Sequence, residues 1–385
     1  MKIGIEGQRL FRKKKHGMDV VALELINNLQ VIDKKNEYVL FIKPDVDDQC
    51  IKETENFKIV KLKGRSFPIW EQCSLPRAAR KEGCEILHCT SNTAPLKTKI
   101  PLVTTLHDII YLEHISILTK AGTWYQKFGN MYRRYVVPRI VKSSKRIITV
   151  SNFEKNRIKN FFNLPETDHR LVAIYNGVGE HFKPVNDKAE LKRVKKKYHL
   201  PDEFFFFFGN TDPKKNTKGA LEAFSKFIAK SEKKIPLIML DYDKNELNSI
   251  LSDIGDKDLI NHIQLTGYIV NTDLPAIYQL CTIFLYPSLR ESFGIPMLEA
   301  MGCGTPVITS NTSSMPEVSG NAALIIDPHK PEEITDGIFK LLNDEKLCNE
   351  LREKGFEQVK KFSWRTMSEN VLKLYEEVYN ENYNK

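Results

Sequence analysis

Long apolar runs are the scarcest feature of this 385-residue sequence. The densest, Phe204–Phe208, falls far short of the roughly 20 apolar residues that a membrane-spanning helix needs, so no such span is expected. The amino terminus, Met1-Lys2-Ile3-Gly4-Ile5-Glu6, is interrupted by charge, so a leader peptide is not expected. No two of the seven cysteines, at 50, 73, 84, 89, 281, 303 and 348, form a C-x-x-C pair, and their odd number argues against a closed disulfide framework. They are expected as reduced, mostly buried thiols of a cytoplasmic protein. Cys84, His88 and Cys89 lie close together, but a zinc site needs more ligands and better spacing; they read as packing residues of a strand. Low-complexity and collagen-like stretches are missing too.

What is present is an ordinary globular balance, 41% hydrophobic and 28% charged. Lys and Arg outnumber Asp and Glu by 58 to 49, a formal charge of +9. A basic surface attracts nucleotides, lipid head groups or nucleic acid alike. No helix-turn-helix, zinc or RNA-binding signature accompanies it, so nucleic acid is not an expected partner.

Short β-branched or aromatic runs alternate with stretches of helical period. Lys2–Glu6, Tyr38–Ile42, Lys58–Leu62, Ile86–His88, Leu102–Leu106, Arg146–Val150 and Leu171–Ile174 read as strands. Val20, Leu23, Ile26 and Leu29 share one helical face, and a long helical pattern covers Trp124–Val141. The pattern breaks between Asn176 and Pro201, where Gly177, Gly179, Pro184 and a lysine-rich stretch place a linker near 176–190. It restarts with Phe204–Phe208, and Leu237–Leu240, His262–Leu265, Thr282–Tyr286, Pro306–Thr309 and Ala323–Ile326 follow as strands. Helices close the pattern, the last at Met367–Tyr379. The expected fold is α/β: two doubly wound, Rossmann-like domains, 1–185 and 186–365, with a terminal helix at 366–385. Such sheets bind ligands beyond the carboxyl ends of their strands, and two of them facing each other make an interdomain cleft.

The densest chemistry lies in Tyr286–Pro306. A strand ends at Tyr286, and a loop carries Glu291, Ser292, Phe293 and Gly294, with Ile295 next. Pro296 suits a first helical turn, where its missing N–H costs nothing; Gly302 and Gly304 are expected to stop the helix. The amino end of that helix offers N–H groups and positive dipole to a phosphate. Glu291 and Glu299 cannot sit side by side as a hydrolase pair. They read as acceptors at two stations of one extended ligand, a sugar at Glu291 and a ribose at Glu299, since a carboxylate can take two hydroxyls.

The segment resembles the signature of the family-4 retaining glycosyltransferases of GT-B fold. The similarity extends to Phe208-Gly-Asn-Thr-Asp-Pro-Lys-Lys-Asn216, Tyr175-Asn-Gly-Val178, Val150-Ser-Asn152, Leu106-His-Asp108 and the stretch Leu265–Asp327. The resemblance implies transfer of a hexose from a nucleotide-sugar, GDP-mannose or a UDP-hexose, with retention. The acceptor implied is a glycan or lipid-linked glycan of surface polysaccharide assembly, such as lipopolysaccharide. It implies no metal and no cofactor, and a final helix that crosses back to the first domain. Glu291, Lys215 and His107 are the implied catalytic residues, Lys215 neutralising the leaving diphosphate. Asn210, Lys214, Gly267, Tyr268, Ser292, Phe293, Gly294, Ile295 and Glu299 complete the donor site; Gly17, His107 and Asp108 face the acceptor. Peripheral contact with the anionic inner face of a membrane is a further implied partner. Its candidates are the basic stretch Lys192–Lys197 and the aromatic, basic helix with Tyr125, Phe128, Tyr132, Arg133, Arg134 and Tyr135.

Four positions depart from the family pattern. Lys214 stands where arginine is usual, losing a planar fork, and Asn210 where arginine, serine or threonine is common. Asp19 replaces a second glycine after Gly17, and Asp241-Tyr242-Asp243 replaces a glycine after Leu237–Leu240. A nucleotide-sugar-binding protein without transfer activity, or an epimerase of the same fold, is the alternative function.

Overall fold

A computed structural model of the chain describes residues 1–64, 66–113, 124–240 and 242–383, with backbone alone at 124–127. Asp241 thus lies outside the described residues, as does the side chain of Tyr125. The chain forms two units, Met1–Asn176 with Trp364–Lys385, and Gly177–Ser363.

In the first unit seven strands, β1 (Lys2–Glu6), β2 (Glu37–Ile42), β3 (Phe57–Lys61), β4 (Ile86–Cys89), β5 (Leu102–Thr105), β6 (Arg146–Thr149) and β7 (Leu171–Ala173), form one sheet in the order β3-β2-β1-β4-β5-β6-β7. Every pairing is parallel. Parallel strands need crossover segments and lie covered on both faces, so they read as continuous apolar runs. Helix Gly17–Ile32 buries Val21, Ala22, Leu25, Ile26 and Leu29, spaced for one face. The Asp19 carboxylate closes its first turn, accepting the His16 N–H at 2.9 Å, and pairs with Arg9 at 3.2 Å.

The last helix, Trp364–Tyr383, belongs to this unit and packs on helix Gly17–Ile32 and on β4. Its Tyr375 hydroxyl lies 2.6 Å from His88 Nδ1, and His88 Nε2 lies 2.8 Å from Thr105 Oγ1. Burial pushes the His88 ring down to about 3, so it stays neutral, accepting at one nitrogen and donating at the other. His88 therefore ties the carboxyl-terminal helix to the sheet, and among the described residues no His/Cys/Asp/Glu group could hold a metal ion.

Helix Trp124–Ser143 presents two different sides. Tyr132 turns inward, where its hydroxyl donates to the buried Glu71 carboxylate and takes a hydrogen bond from Gln72. Arg133 sits over the Tyr111 ring at 5.7 Å. The outward stripe is instead Phe128, Met131 and Tyr135, 39%, 58% and 56% exposed, continued by the exposed Arg139 and Lys142. Of the residues named as candidates for membrane contact, Tyr132 thus turns inward, and the exposed Met131 stands with Phe128 and Tyr135.

In the second unit β8 (Phe205–Phe207), β9 (Leu237–Met239), β10 (Ile263–Leu265), β11 (Ile283–Tyr286), β12 (Val307–Ser310) and β13 (Leu324–Ile326) form a six-stranded parallel sheet, order β10-β9-β8-β11-β12-β13. The phenylalanine run is its centre: Phe205, Phe206 and Phe207 are at most 1% exposed, between β9 and β11. Burying each such ring is worth about 1.5–3 kcal/mol. That explains a run which would favour aggregation if exposed.

The break expected between Asn176 and Pro201 is only partly a linker. Lys188–Lys197 is a helix, capped by Asp187. Arg193 and Lys197 pair with the buried Asp273, which also accepts the Tyr198 hydroxyl at 2.8 Å, and Lys195 pairs with Asp202. This basic stretch is thus largely matched by carboxylates. Residues 177–185 join the second unit rather than the first, the Val178 N–H donating to the Phe362 carbonyl at 3.2 Å. Gly302 is the last residue of the helix it was expected to stop, and Gly304, at φ +78°, follows the cap residue Cys303.

Replacing Tyr375 by phenylalanine leaves a buried His88 nitrogen without its partner. The expected loss is about 1–3 kcal/mol of unfolding free energy, read from urea denaturation; an unchanged midpoint contradicts the tie.

Candidate active site

Both sheets change strand direction of build at one point, β1/β4 in the first unit and β8/β11 in the second. The crevice outside the carboxyl ends at such a switch is where open α/β sheets take ligands. In the second unit the segments leaving β8 and β11 carry the chemistry.

After β8 the chain makes a single 3-10 turn, Pro213–Lys215, capped by Asp212, whose side chain accepts the Lys214 N–H at 3.1 Å. After β11 it enters the loop Pro287–Phe293, then helix Ile295–Gly302, with Gly294 as N-cap at φ +101°. That left-handed conformation is strained for any other residue. The two segments are joined. The Lys214 carbonyl accepts the Leu289 N–H at 2.7 Å. Lys215 Nζ lies 2.6 Å from Glu291 Oε1, 3.4 Å from the Tyr286 hydroxyl and 5.3 Å from the centre of that ring. The two charged side chains are only 14% and 12% exposed.

A third segment, after β12, fixes the loop from behind. Glu291 N–H donates to Ser313 Oγ at 3.0 Å, and Ser314 Oγ donates to the carbonyls of Glu291 and Phe293 at 3.0 and 3.1 Å. Thr312 Oγ1 adds a bond of 3.1 Å to the Leu289 carbonyl. Glu299, one turn into the helix, accepts the Tyr278 hydroxyl at 3.0 Å, and burial pushes it up to about 7. Tyr286 lies within reach of both glutamate charges, which with its burial hold its hydroxyl protonated.

The other expected donor residues are less tightly joined. Asn210 is exposed and turns its Oδ1 to the Asp212 N–H at 2.9 Å; Lys214 points at Asp212, 3.4 Å away. Ser292 and Ile295 are half-buried at the loop and helix start, and Phe293 is buried against Phe362. Gly267, at φ +68° with open space about it, and Tyr268, 69% exposed, follow edge strand β10.

In the first unit His107 follows β5 and is buried. Its N–H donates to Asn92 Oδ1 at 2.6 Å, and Nε2 lies 3.0 Å from the Thr90 carbonyl, so that nitrogen carries the proton. Burial pushes the ring below its usual range; neutral, it keeps Nδ1 as an acceptor. Asp108 is half-buried, its Oδ1 accepting the Ile110 N–H at 3.3 Å. Gly17 opens its helix with nothing within 4 Å of where a Cβ would stand. Asp19 brings negative charge to that helix end. Just before Gly17, Lys15 is matched by Asp47.

Asn216 is part of the stretch that resembles the family but carried no assigned role, and Ser313, Ser314, Tyr278 and Arg9 were not foreseen at all. The only signals were an asparagine just before a helix and three hydroxyl residues in a row after a strand.

Two family models match in tandem, "Glycosyltransferase Family 4" over residues 16–181 and "Glycosyl transferases group 1" over 187–358. O-antigen chain mannosyltransferase B of Escherichia coli is 32% identical over 274 residues, 71% of this chain and 69% of that one. The chain is a family-4 glycosyltransferase. A longer relative, the serotype-specific mannosyltransferase WbdA of Escherichia coli, is 36% identical over 199 residues, 51% of this chain, which spans only 24% of that protein. The crystal structure of Anabaena HepE in complex with UDP-glucose matches the transferase with a TM-score of 0.74 at 16% identity, over 98% of this chain and all of that one. That likeness places the fold as GT-B.

Glu299 gives the transferase a pH signature. A carboxyl whose pKa is raised on folding contributes fully at low pH and loses that contribution as pH rises through about 7. The variant E299Q is therefore expected to be more stable than the parent at pH 8, the gap closing by pH 5. Parallel urea midpoints across that range contradict the burial.

Proposed function

We propose that this glycosyltransferase moves mannose from GDP-mannose, with retention and without a metal, to a glycan or lipid-linked glycan acceptor in surface polysaccharide assembly. The observation that carries the reading is the Lys215–Glu291 pair at the β8/β11 switch, beside the helix end at Gly294. Mannose is favoured over other hexoses because two relatives are named mannosyltransferases.

The roles follow from donor counts. An ammonium has three N–H groups. Glu291 takes one and Tyr286 lies at a longer 3.4 Å, which leaves capacity for an oxygen of the diphosphate. Glu291 keeps its second oxygen for sugar hydroxyls, and Glu299 accepts from the ribose. As the glycosidic bond lengthens, negative charge grows on the leaving diphosphate. Lys215 and the first-turn N–H groups of helix Ile295–Gly302 meet it there. This positive charge does the work a cation would do, so no metal is needed. Beside the Lys215–Glu291 pair, front-side displacement, the diphosphate oxygen taking the acceptor proton, suits the groups present. On the acceptor side we assign His107 Nδ1 to a sugar hydroxyl, with Gly17 and Asp108 beside the acceptor.

Purified protein incubated with GDP-mannose, UDP-glucose and ADP-glucose is expected to release GDP slowly and to transfer mannose in the α configuration, unaffected by EDTA. K215A and E291A are expected to lose on the order of 10²–10³ in kcat while keeping the parent's circular dichroism. Equal turnover in parent and variants contradicts the site. Donor binding with no transfer to any glycan favours the binding-protein reading, and interconversion of the free donor favours the epimerase.

The outward stripe of helix Trp124–Ser143, Phe128, Met131 and Tyr135 followed by Arg139 and Lys142, fits an anionic lipid surface: rings at the interface, cations at the head groups. Vesicles containing phosphatidylglycerol are expected to bind the protein and to lose it in R139E/K142E or at high salt. Equal binding to neutral vesicles contradicts the assignment.

A further inference from the structure

Asn216 has no part in the charge arrangement above, yet it is built into it in an unusual way. It takes the left-handed conformation, φ +57°, between the 3-10 turn that ends at Lys215 and helix Thr217–Lys230. Most residues are strained there, asparagine less than most. Its side-chain amide has two N–H groups, and both are used: Nδ2 lies 3.0 Å from the Pro287 carbonyl, just after β11, and 2.8 Å from the Pro328 carbonyl, just after β13. A Cβ on Gly219 would stand 2.5 Å from Asn216 Oδ1, so the amide fills the space that the glycine leaves.

The geometry assigns Asn216 as the positioning residue for Lys215: its amide clamps the turn after β8 to the strand ends at Pro287 and Pro328, and so sets where the Lys215 ammonium meets the leaving group. This rests on the role proposed for Lys215. The physical reason is that a 3-10 turn of three residues has no rigidity of its own. Lys215 projects from it across to Glu291, and a shift of the turn moves the ammonium by the same amount. Misplacement of a group by about 1 Å can cost 10²-fold in rate. Because the leaving group's charge develops in the transition state, the shift is felt in kcat more than in donor KM.

The test is a cycle of variants assayed for mannose transfer from GDP-mannose, with kcat and donor KM measured separately. N216D keeps size and tolerance of the left-handed region but sets a carboxylate oxygen, in place of Nδ2, against both carbonyls. N216G keeps the backbone and removes the clamp. Either is expected to lose about 10- to 100-fold in kcat, with donor KM within threefold. G219A, which presses on the amide, is expected to lower kcat alone and to have no effect in N216G. Neither Asn216 variant is expected to slow K215A further, since the residue acts through Lys215. A residue that merely held the fold together would slow both backgrounds by the same factor, and that result overturns the proposal, as does parental kcat in N216G. If K215A itself turns over at the parental rate, the reading of the site fails, a result distinct from failure of the clamp.

Discussion

One ion pair organises the second unit's site. Lys215 and Glu291 come from different strand ends, and each is only slightly exposed. Holding either charge there alone costs several kcal/mol, and removing one partner leaves the other uncompensated. The backbone around the pair is correspondingly fixed, by the Lys214 carbonyl in front and by Thr312, Ser313 and Ser314 behind.

The first unit solves a different problem with the same topology. A glycine with open space and an aspartate matched by Arg9 follow its β1, and a neutral, buried His107 after β5 reaches the Thr90 carbonyl just past β4. Groups of this kind suit hydroxyls rather than a diphosphate. The contrast fits the division of labour proposed here, an anionic donor on the second unit and a sugar acceptor on the first. It also explains Asp19: a carboxylate at the amino end of helix Gly17–Ile32 occupies the positive pole that would otherwise draw a phosphate.

Much of the fold was legible because parallel strands must be apolar throughout. Runs such as Phe205–Phe207 and Ile283–Tyr286 stand out from the helical stretches between them. Helix Lys188–Lys197 did not stand out, because it buries only Val194 and is held by ion pairs to Asp273, about 80 residues on, that no local pattern reveals. The helix that carries Tyr132 gave no sign of which aromatic residues turn in: they occur on both sides, and the buried Glu71 draws Tyr132 inward. In the site, the loop, proline and glycine around Gly294 announced themselves, and Lys215 and Glu291 were expected near one ligand; their direct contact was not foreseen. Asn216 and the hydroxyl segment Thr312–Ser314 were not legible, since they act through carbonyls of residues far off in the chain.

In the proposed mechanism Lys215 meets the leaving diphosphate while Glu291 holds the sugar. A crystal structure of the protein with GDP-2-fluoromannose tests it most directly. The account predicts a diphosphate oxygen within hydrogen-bond distance of Lys215 Nζ, the sugar hydroxyls on Glu291 and the ribose on Glu299. A diphosphate seated away from the β8/β11 strand ends, with the Lys215–Glu291 pair undisturbed and untouched by ligand, would contradict it.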